Sequence, residues 1–129
     1  MELRCLEATT GAAVACPDRR VFAMESDGSA MYTLQALWTQ AREQMNVTTI
    51  LFANRSYAIL QGELRNLAPK ASGPKAGAVL SLDNPAIDWV QLAQGMGVPA
   101  CRVTTGEEYV AALTAGIAES GPRFIEVVV

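Results

Sequence analysis

The chain has 129 residues, half of them hydrophobic, with 18% charged side chains and a net charge of −3. That is enough for one domain with a real core, and the composition argues against a disordered chain. It contains no histidine, and its 10 Lys and Arg residues form no basic stripe. Ser-His-Asp and Cys-His catalysis and a His-ligated zinc site are therefore excluded, and nucleic acid is disfavoured as a partner.

Read from the N-terminus, Glu2, Arg4 and Glu7 do not resemble a signal peptide, and no apolar run reaches the roughly 20 residues of a membrane span. Thr10 to Cys16 is small and apolar, suiting a tightly packed helix end, and Pro17 to Arg20 reads as a turn. Val21 to Glu25 predicts a short strand that stops at the turn-forming run Ser26-Asp27-Gly28-Ser29. A long helix is expected from about Ala30 to Met45, capped by Ser29 and burying Met31, Leu34, Trp38, Ala41 and Met45. Val47 to Ala53 is continuous and apolar, as a strand buried on both faces should be, and ends at Asn54.

The stretch 61–86 is the least regular, with Pro69, Pro74 and Pro85, three glycines and both lysines. It reads as a long surface loop, with room for a short helix at its start and for closure over a site near Lys70 to Lys75. Ile87 to Met96 predicts a helix capped by the Gly95-Met96-Gly97 end, and Pro99 to Val103 a short strand. Thr105 and Glu108 match a capping box for a helix running to about Glu119, and Phe124 to Val129 forms a last strand. Cys5, Cys16 and Cys101 have no metal-like spacing and are read as reduced, small apolar fillers, consistent with a cytoplasmic chain.

Strands alternating with helices imply an α/β fold, an open parallel sheet with helices on both faces. Ligands of such sheets bind beyond the carboxyl ends of the strands. Asp27 and Asn54 stand at two such ends, 27 positions apart, a separation that returns the chain to the same sheet edge. Carboxylate, amide and backbone carbonyl oxygens make the partial cage that magnesium completes with phosphate oxygens and water. Backbone N–H groups at Gly28, Ser29 and Ala30 would open the following helix and favour an anion. A turn with an N-cap explains Asp27 to Ser29 equally well when they are taken alone, and core packing is the simplest role for Trp38 and Tyr57. A dinucleotide site is disfavoured, because no Gly-x-Gly-x-x-Gly follows a strand.

The run from Ser26 through Thr39 (SDGSAMYTLQALWT) and Asn54 to Leu60 (NRSYAIL) resembles the thiamine-diphosphate (ThDP) motif, Gly-Asp-Gly followed at a distance by Asn-Asn. The branch it is similar to is that of acetolactate synthase large subunits and benzoylformate decarboxylase. The resemblance covers Thr10 to the C-terminus and implies a single, N-terminally truncated ThDP diphosphate-binding domain over 1–129. It implies magnesium ligation by Asp27, Asn54 and the Ser56 carbonyl. It places Gly28 and Ser29 as donors to the diphosphate, with Tyr57 and Ala58 alongside. Ser26 and Ala53 replace the first Gly and first Asn of the motif, and Arg4 to Glu7 replace a Gly- and Pro-bearing helix entry. The family's catalytic glutamate belongs to a separate pyrimidine-binding domain, so no catalytic residue is assigned here. The resemblance thus implies a ThDP/Mg-binding module of a 2-oxo acid decarboxylase or carboligase, inactive alone. It would be completed as a homodimer or by a pyrimidine-binding domain on another chain. The alternative is a non-catalytic, stand-alone fold that binds a small anion or serves as an interaction module.

Overall fold

A computed structural model describes residues 5–67 and 73–129. The elements in chain order are α1 (Cys5–Ala15), β1 (Val21–Ser26), α2 (Asp27–Ala30), α3 (Ala36–Arg42), β2 (Val47–Ala53), α4 (Ala58–Leu67), α5 (Pro74–Val79), α6 (Trp89–Gly95), β3 (Ala100–Val103), α7 (Gly106–Ala118) and β4 (Arg123–Val128). The four strands form one parallel sheet in the order β1-β2-β4-β3. All four strands lie where the sequence predicts them, to within a residue or two.

Side chains alternate across each strand, which assigns the helices to faces. Leu51 and Phe124 share one face and form a single core with Leu6 of α1, Ala36 and Leu37 of α3, and Trp89 and Ala93 of α6. On the opposite face α7 crosses β3 and β4, with Gly116 lying against Arg123. β2 is buried along nearly its whole length, as expected for a central parallel strand. β1 is an edge strand, and its Phe22 and Met24 are exposed on the α7 side. Glu126 is buried in the sheet and accepts a 2.8 Å hydrogen bond from Arg102 Nε, which supplies the partner that a buried carboxylate requires.

The segment after β1 departs from the expected long helix. One turn, α2, is followed by residues 31–35 and then by α3. Through this segment the amides of Tyr32, Ala36, Leu37 and Trp38 each bond the carbonyl three residues back. Three residues per turn instead of 3.6 rotates the buried face. The buried positions become Ala30, Thr33, Ala36, Leu37 and Gln40, while Met31 and Trp38 turn to solvent. Arg42 lies over the Trp38 ring at 5.1 Å, a surface cation–π contact where core packing was expected. Ser29 is not the N-cap: the helical turn starts at Asp27, after an extended Ser26 with no side-chain cap bond.

Residues 61–86, expected as a loop, contain most of α4 and all of α5. α4 carries apolar residues at helical spacing yet buries none of its side chains, and α5 begins with Pro74 in its first turn, a position where proline is tolerated. Pro69 and Lys70 lie outside the described residues, as does Arg4. Cys16 is exposed, not a packing filler, and burial pushes the half-buried Cys101 thiol up against an opposing pull from Arg123.

Helix ends are specified locally. After α6, the Val98 amide bonds the Ala93 carbonyl and the Gly97 amide the Gln94 carbonyl, both at 2.9 Å, with Gly97 at φ +85°. This is the Schellman geometry that glycine accommodates. At α7, Thr105 Oγ1 accepts from the Glu108 amide and Glu108 Oε2 accepts from the Thr105 amide, each at 3.2 Å. Hydrogen bonds from Thr104 lead the causes that hold the Glu108 carboxyl below its usual range.

Two outcomes follow. Thr105→Ala should cost about 1 kcal/mol in urea unfolding, whereas Leu51→Ala, at the sheet centre, should cost about 2–5 kcal/mol. Glu108 has a lowered pKa when folded, so its contribution is present above the unfolded pKa and is lost as pH falls through the folded one. The stability gap between the natural chain and Glu108→Gln should therefore narrow on acidification below the ordinary glutamate range, read from urea midpoints across pH.

Candidate functional site

Ser26 of β1 stands opposite Phe52 of β2, so Asp27 is level with Ala53 and Asn54 lies one residue further on. The two polar residues thus leave neighbouring parallel strands on the same edge of the sheet. Asp27 is 1% exposed. Its Oδ1 accepts from the Gly28 amide at 2.9 Å and its Oδ2 from the Arg55 amide at 2.5 Å. Hydrogen bonds to an ionised carboxylate are the short, strong class, and here they tie the end of β1 to the end of β2.

The chain turns sharply at Arg55, which has φ +56°. On either side of it, Asn54 Oδ1 accepts from the Ser56 amide at 3.0 Å. Residues 55–57 are strapped to 80–82 by an antiparallel bridge: Leu82 N–H donates to the Arg55 carbonyl (2.8 Å) and Tyr57 N–H to the Leu80 carbonyl (3.0 Å). The bridge leaves out the carbonyl of Ser56. The Arg55 guanidinium turns away to Asp83, 3.4 Å from its Oδ1.

Between these segments is an open cleft of about 360 Å³. Gly28, Ser29, Asn54, Ser56, Tyr57 and Ala58, all named from the sequence, line it. Asp27 does not line the cleft; it is buried beneath Gly28. Ser26, Tyr32, Ile59 and Leu60 also line it and were not singled out; Ile59 and Leu60 belong to the NRSYAIL run, and their apolar type gave no chemical signal. A Cβ at position 28 would come within 2.8 Å of Tyr57 Cδ1, so only glycine lets that ring lie flat on the backbone. Ser26 and Ser29 hydroxyls are bonded to each other at 3.0 Å, and the Ser56 hydroxyl is buried without a partner.

The donors gathered at this edge are hard oxygens: a buried carboxylate, an amide oxygen and a backbone carbonyl. They suit a hard divalent cation that also keeps water or phosphate ligands. No three His, Cys, Asp or Glu side chains converge on a metal-sized site among the described residues. The amide of Gly28 is turned to Asp27, and α2 is a single turn, so its dipole is weaker than that of the long helix expected.

Gly28→Ala should displace the Tyr57 ring and cost about 1–3 kcal/mol. Introducing it into Tyr57→Ala should cost less than in the natural chain, and equal costs in a double-mutant cycle would show that the ring does not press on Gly28.

Comparison with known proteins agrees with this geometry. Residues 4–127 match the family model for the thiamine pyrophosphate enzyme, C-terminal TPP binding domain. The chain is 54% identical, over 96% of its length, to a Mycobacterium tuberculosis protein named "Putative acetolactate synthase large subunit IlvX", covering 24% of that protein. It is 37% identical to benzoylformate decarboxylase of Pseudomonas aeruginosa over 95% of this chain and 22% of that enzyme. Among solved structures, the ThDP-dependent 4-hydroxybenzoylformate decarboxylase of Rhodococcus jostii RHA1 superposes with a TM-score of 0.83 at 36% identity, over 95% of this chain and 22% of that one. The chain therefore spans about a fifth to a quarter of the length of these relatives. Sequence, fold and matched extent together place this chain in the family of thiamine pyrophosphate enzyme C-terminal TPP-binding domains.

Proposed function

We propose that the chain holds the diphosphate end of ThDP through a magnesium ion, as the diphosphate-binding part of an acetolactate synthase-like 2-oxo acid decarboxylase or carboligase. The observation that carries this reading is the convergence of Asp27 and the Asn54-Arg55-Ser56 turn at one sheet edge, beside a cleft floored by Gly28. Asp27 would ligate the cation through its carboxylate, Asn54 through its amide oxygen and Ser56 through its backbone carbonyl. Gly28 and Ser29 would present backbone N–H groups to the diphosphate, with Tyr57 and Ala58 walling it. When bound, ThDP supplies the electron sink for breaking or making the bond beside a 2-oxo group. The residues of this chain bind and orient; none of them is assigned a proton transfer. Turnover would need a pyrimidine-binding domain from another chain or another copy, and dimerisation in the cytoplasm follows from the same reading. No described helix is long and apolar enough to cross a membrane.

One observation favours a second reading, a non-catalytic fold that keeps the scaffold. Both Asp27 oxygens and Asn54 Oδ1 already accept backbone amides, so the turn is satisfied without a cation.

Isothermal titration of ThDP into the purified chain, with and without magnesium, separates the two. The first reading expects magnesium-dependent binding that weakens at least about tenfold in Asp27→Ala and Asp27→Asn, a loss of about 1.4 kcal/mol or more. A folded chain that binds nothing at millimolar cofactor would leave the scaffold reading standing. Added ThDP and magnesium alone should give no turnover of a 2-oxo acid, and turnover by this chain would overturn the requirement for a second domain.

A further inference from the structure

The geometry points to Arg55 as the positioning residue of the cation site, acting through its backbone and not through its charge; this rests on the reading above. Arg55 sits between two of the three assigned ligands, and its own amide holds the third, donating to Asp27 Oδ2 at 2.5 Å. Its φ of +56° is a left-handed conformation that side chains other than Gly, Asn and Asp rarely adopt. That single reversal sets Asn54 and Ser56 on either side of one tight turn, where the Asn54 amide oxygen meets the Ser56 amide at 3.0 Å. It also aims the Arg55 N–H back at the end of β1. With φ in the ordinary negative range, the N–H could not reach Asp27 while the strand before it kept its register with β1.

Strain of this kind persists only where the surroundings over-determine it. Here the turn is held from three sides. Asp27 grips the amide, Leu82 donates to the carbonyl at 2.8 Å, and Asp83 holds the guanidinium at 3.4 Å. The side-chain pair is more than half exposed at both ends, so it is the weakest of the three. An Arg in the immediate vicinity of a diphosphate cleft invites the opposite view, that it is an anion ligand. It does not line the cleft, and its guanidinium is committed to Asp83.

The test is binding of Mn2+ in the presence of ThDP, followed by electron paramagnetic resonance of the free ion, together with thermal melting of each variant alone. Arg55→Gly and Arg55→Asn keep the left-handed turn without the charge, and should bind within about threefold of the natural chain. Arg55→Val and Arg55→Pro oppose the turn, one by its β-branch and the other by a fixed negative φ and a lost N–H. They should bind at least tenfold more weakly while still showing a cooperative melt. Asp83→Asn, which removes only the ion pair, should bind like the natural chain. Equal weakening in Arg55→Gly and Arg55→Val would overturn the inference in favour of the guanidinium. Arg55→Val binding like the natural chain would overturn it outright, as would loss of the melt in Arg55→Val and Arg55→Pro with loss of binding in Arg55→Asn. If the natural chain itself takes up no Mn2+ with ThDP, it is the cofactor-binding reading that fails.

Discussion

The hydrogen bond from the Arg55 amide to the buried Asp27 carboxylate is the constraint on which the rest of the site depends. It joins the first residue past β1 to the second residue past β2, across the gap between neighbouring strands. A buried carboxylate without partners would cost several kcal/mol or give up its charge. Two backbone amides meet that demand at Asp27, and meeting it fixes where both loops leave the sheet. The same charge that organises the turn is the one that would draw a cation to it. Structural and functional roles are thus carried by one side chain, which explains why it lies under the cleft and not in its wall.

The scaffold serves this edge from below. β2 is buried on both faces, so its end is stiff, while β1 is an edge strand and relies on α1, α2 and the Asp27 clamp for its position. Gly28 lets Tyr57 lie on the backbone of α2, closing the side of the cleft that the Asp27 clamp leaves open. Beyond Tyr57 the chain makes α4 and α5, which bury none of their described side chains, before returning at Leu80 to Leu82. That return bridge confines the excursion: whatever α4 and α5 do, residues 55–57 keep their register. The cleft is therefore insulated from the least packed part of the molecule.

Much of this was legible in the sequence because it is local. The β-branched run Val47 to Ala53, the Thr105-Glu108 box and the Gly97 cap each depend on a few adjacent residues, and each formed as expected. The position of Asp27 and Asn54 at strand ends followed from the same patterns. The segment 31–35 was not legible, because a change from 3.6 to 3 residues per turn leaves no residue-type mark; Met31 and Trp38 fit a helical stripe and were displaced by phase alone. The helices in 61–86 were obscured by prolines and glycines that turned out to flank or begin them. Arg55 was invisible for a deeper reason: a left-handed arginine is imposed by contacts distant in sequence, at Asp27 and Leu82, and nothing in its type announces it.

The charge of the cleft gives the proposed cation its logic. Among the described residues that wall it there is no lysine or arginine, and the nearest guanidinium is turned to Asp83. A diphosphate brought here would meet serines, tyrosines, an asparagine and aliphatic side chains. Few neutral donors offset several negative charges in a partly open cleft, since each is worth only about 1 kcal/mol net. A buried carboxylate beneath the floor would make matters worse by repulsion. The arrangement becomes favourable only if a divalent cation stands between the two anions, bound to both. The lack of basic residues and the presence of Asp27 are then two sides of one design: the protein supplies a negative charge so that the positive charge arrives with the ligand, and affinity for the diphosphate becomes conditional on the metal.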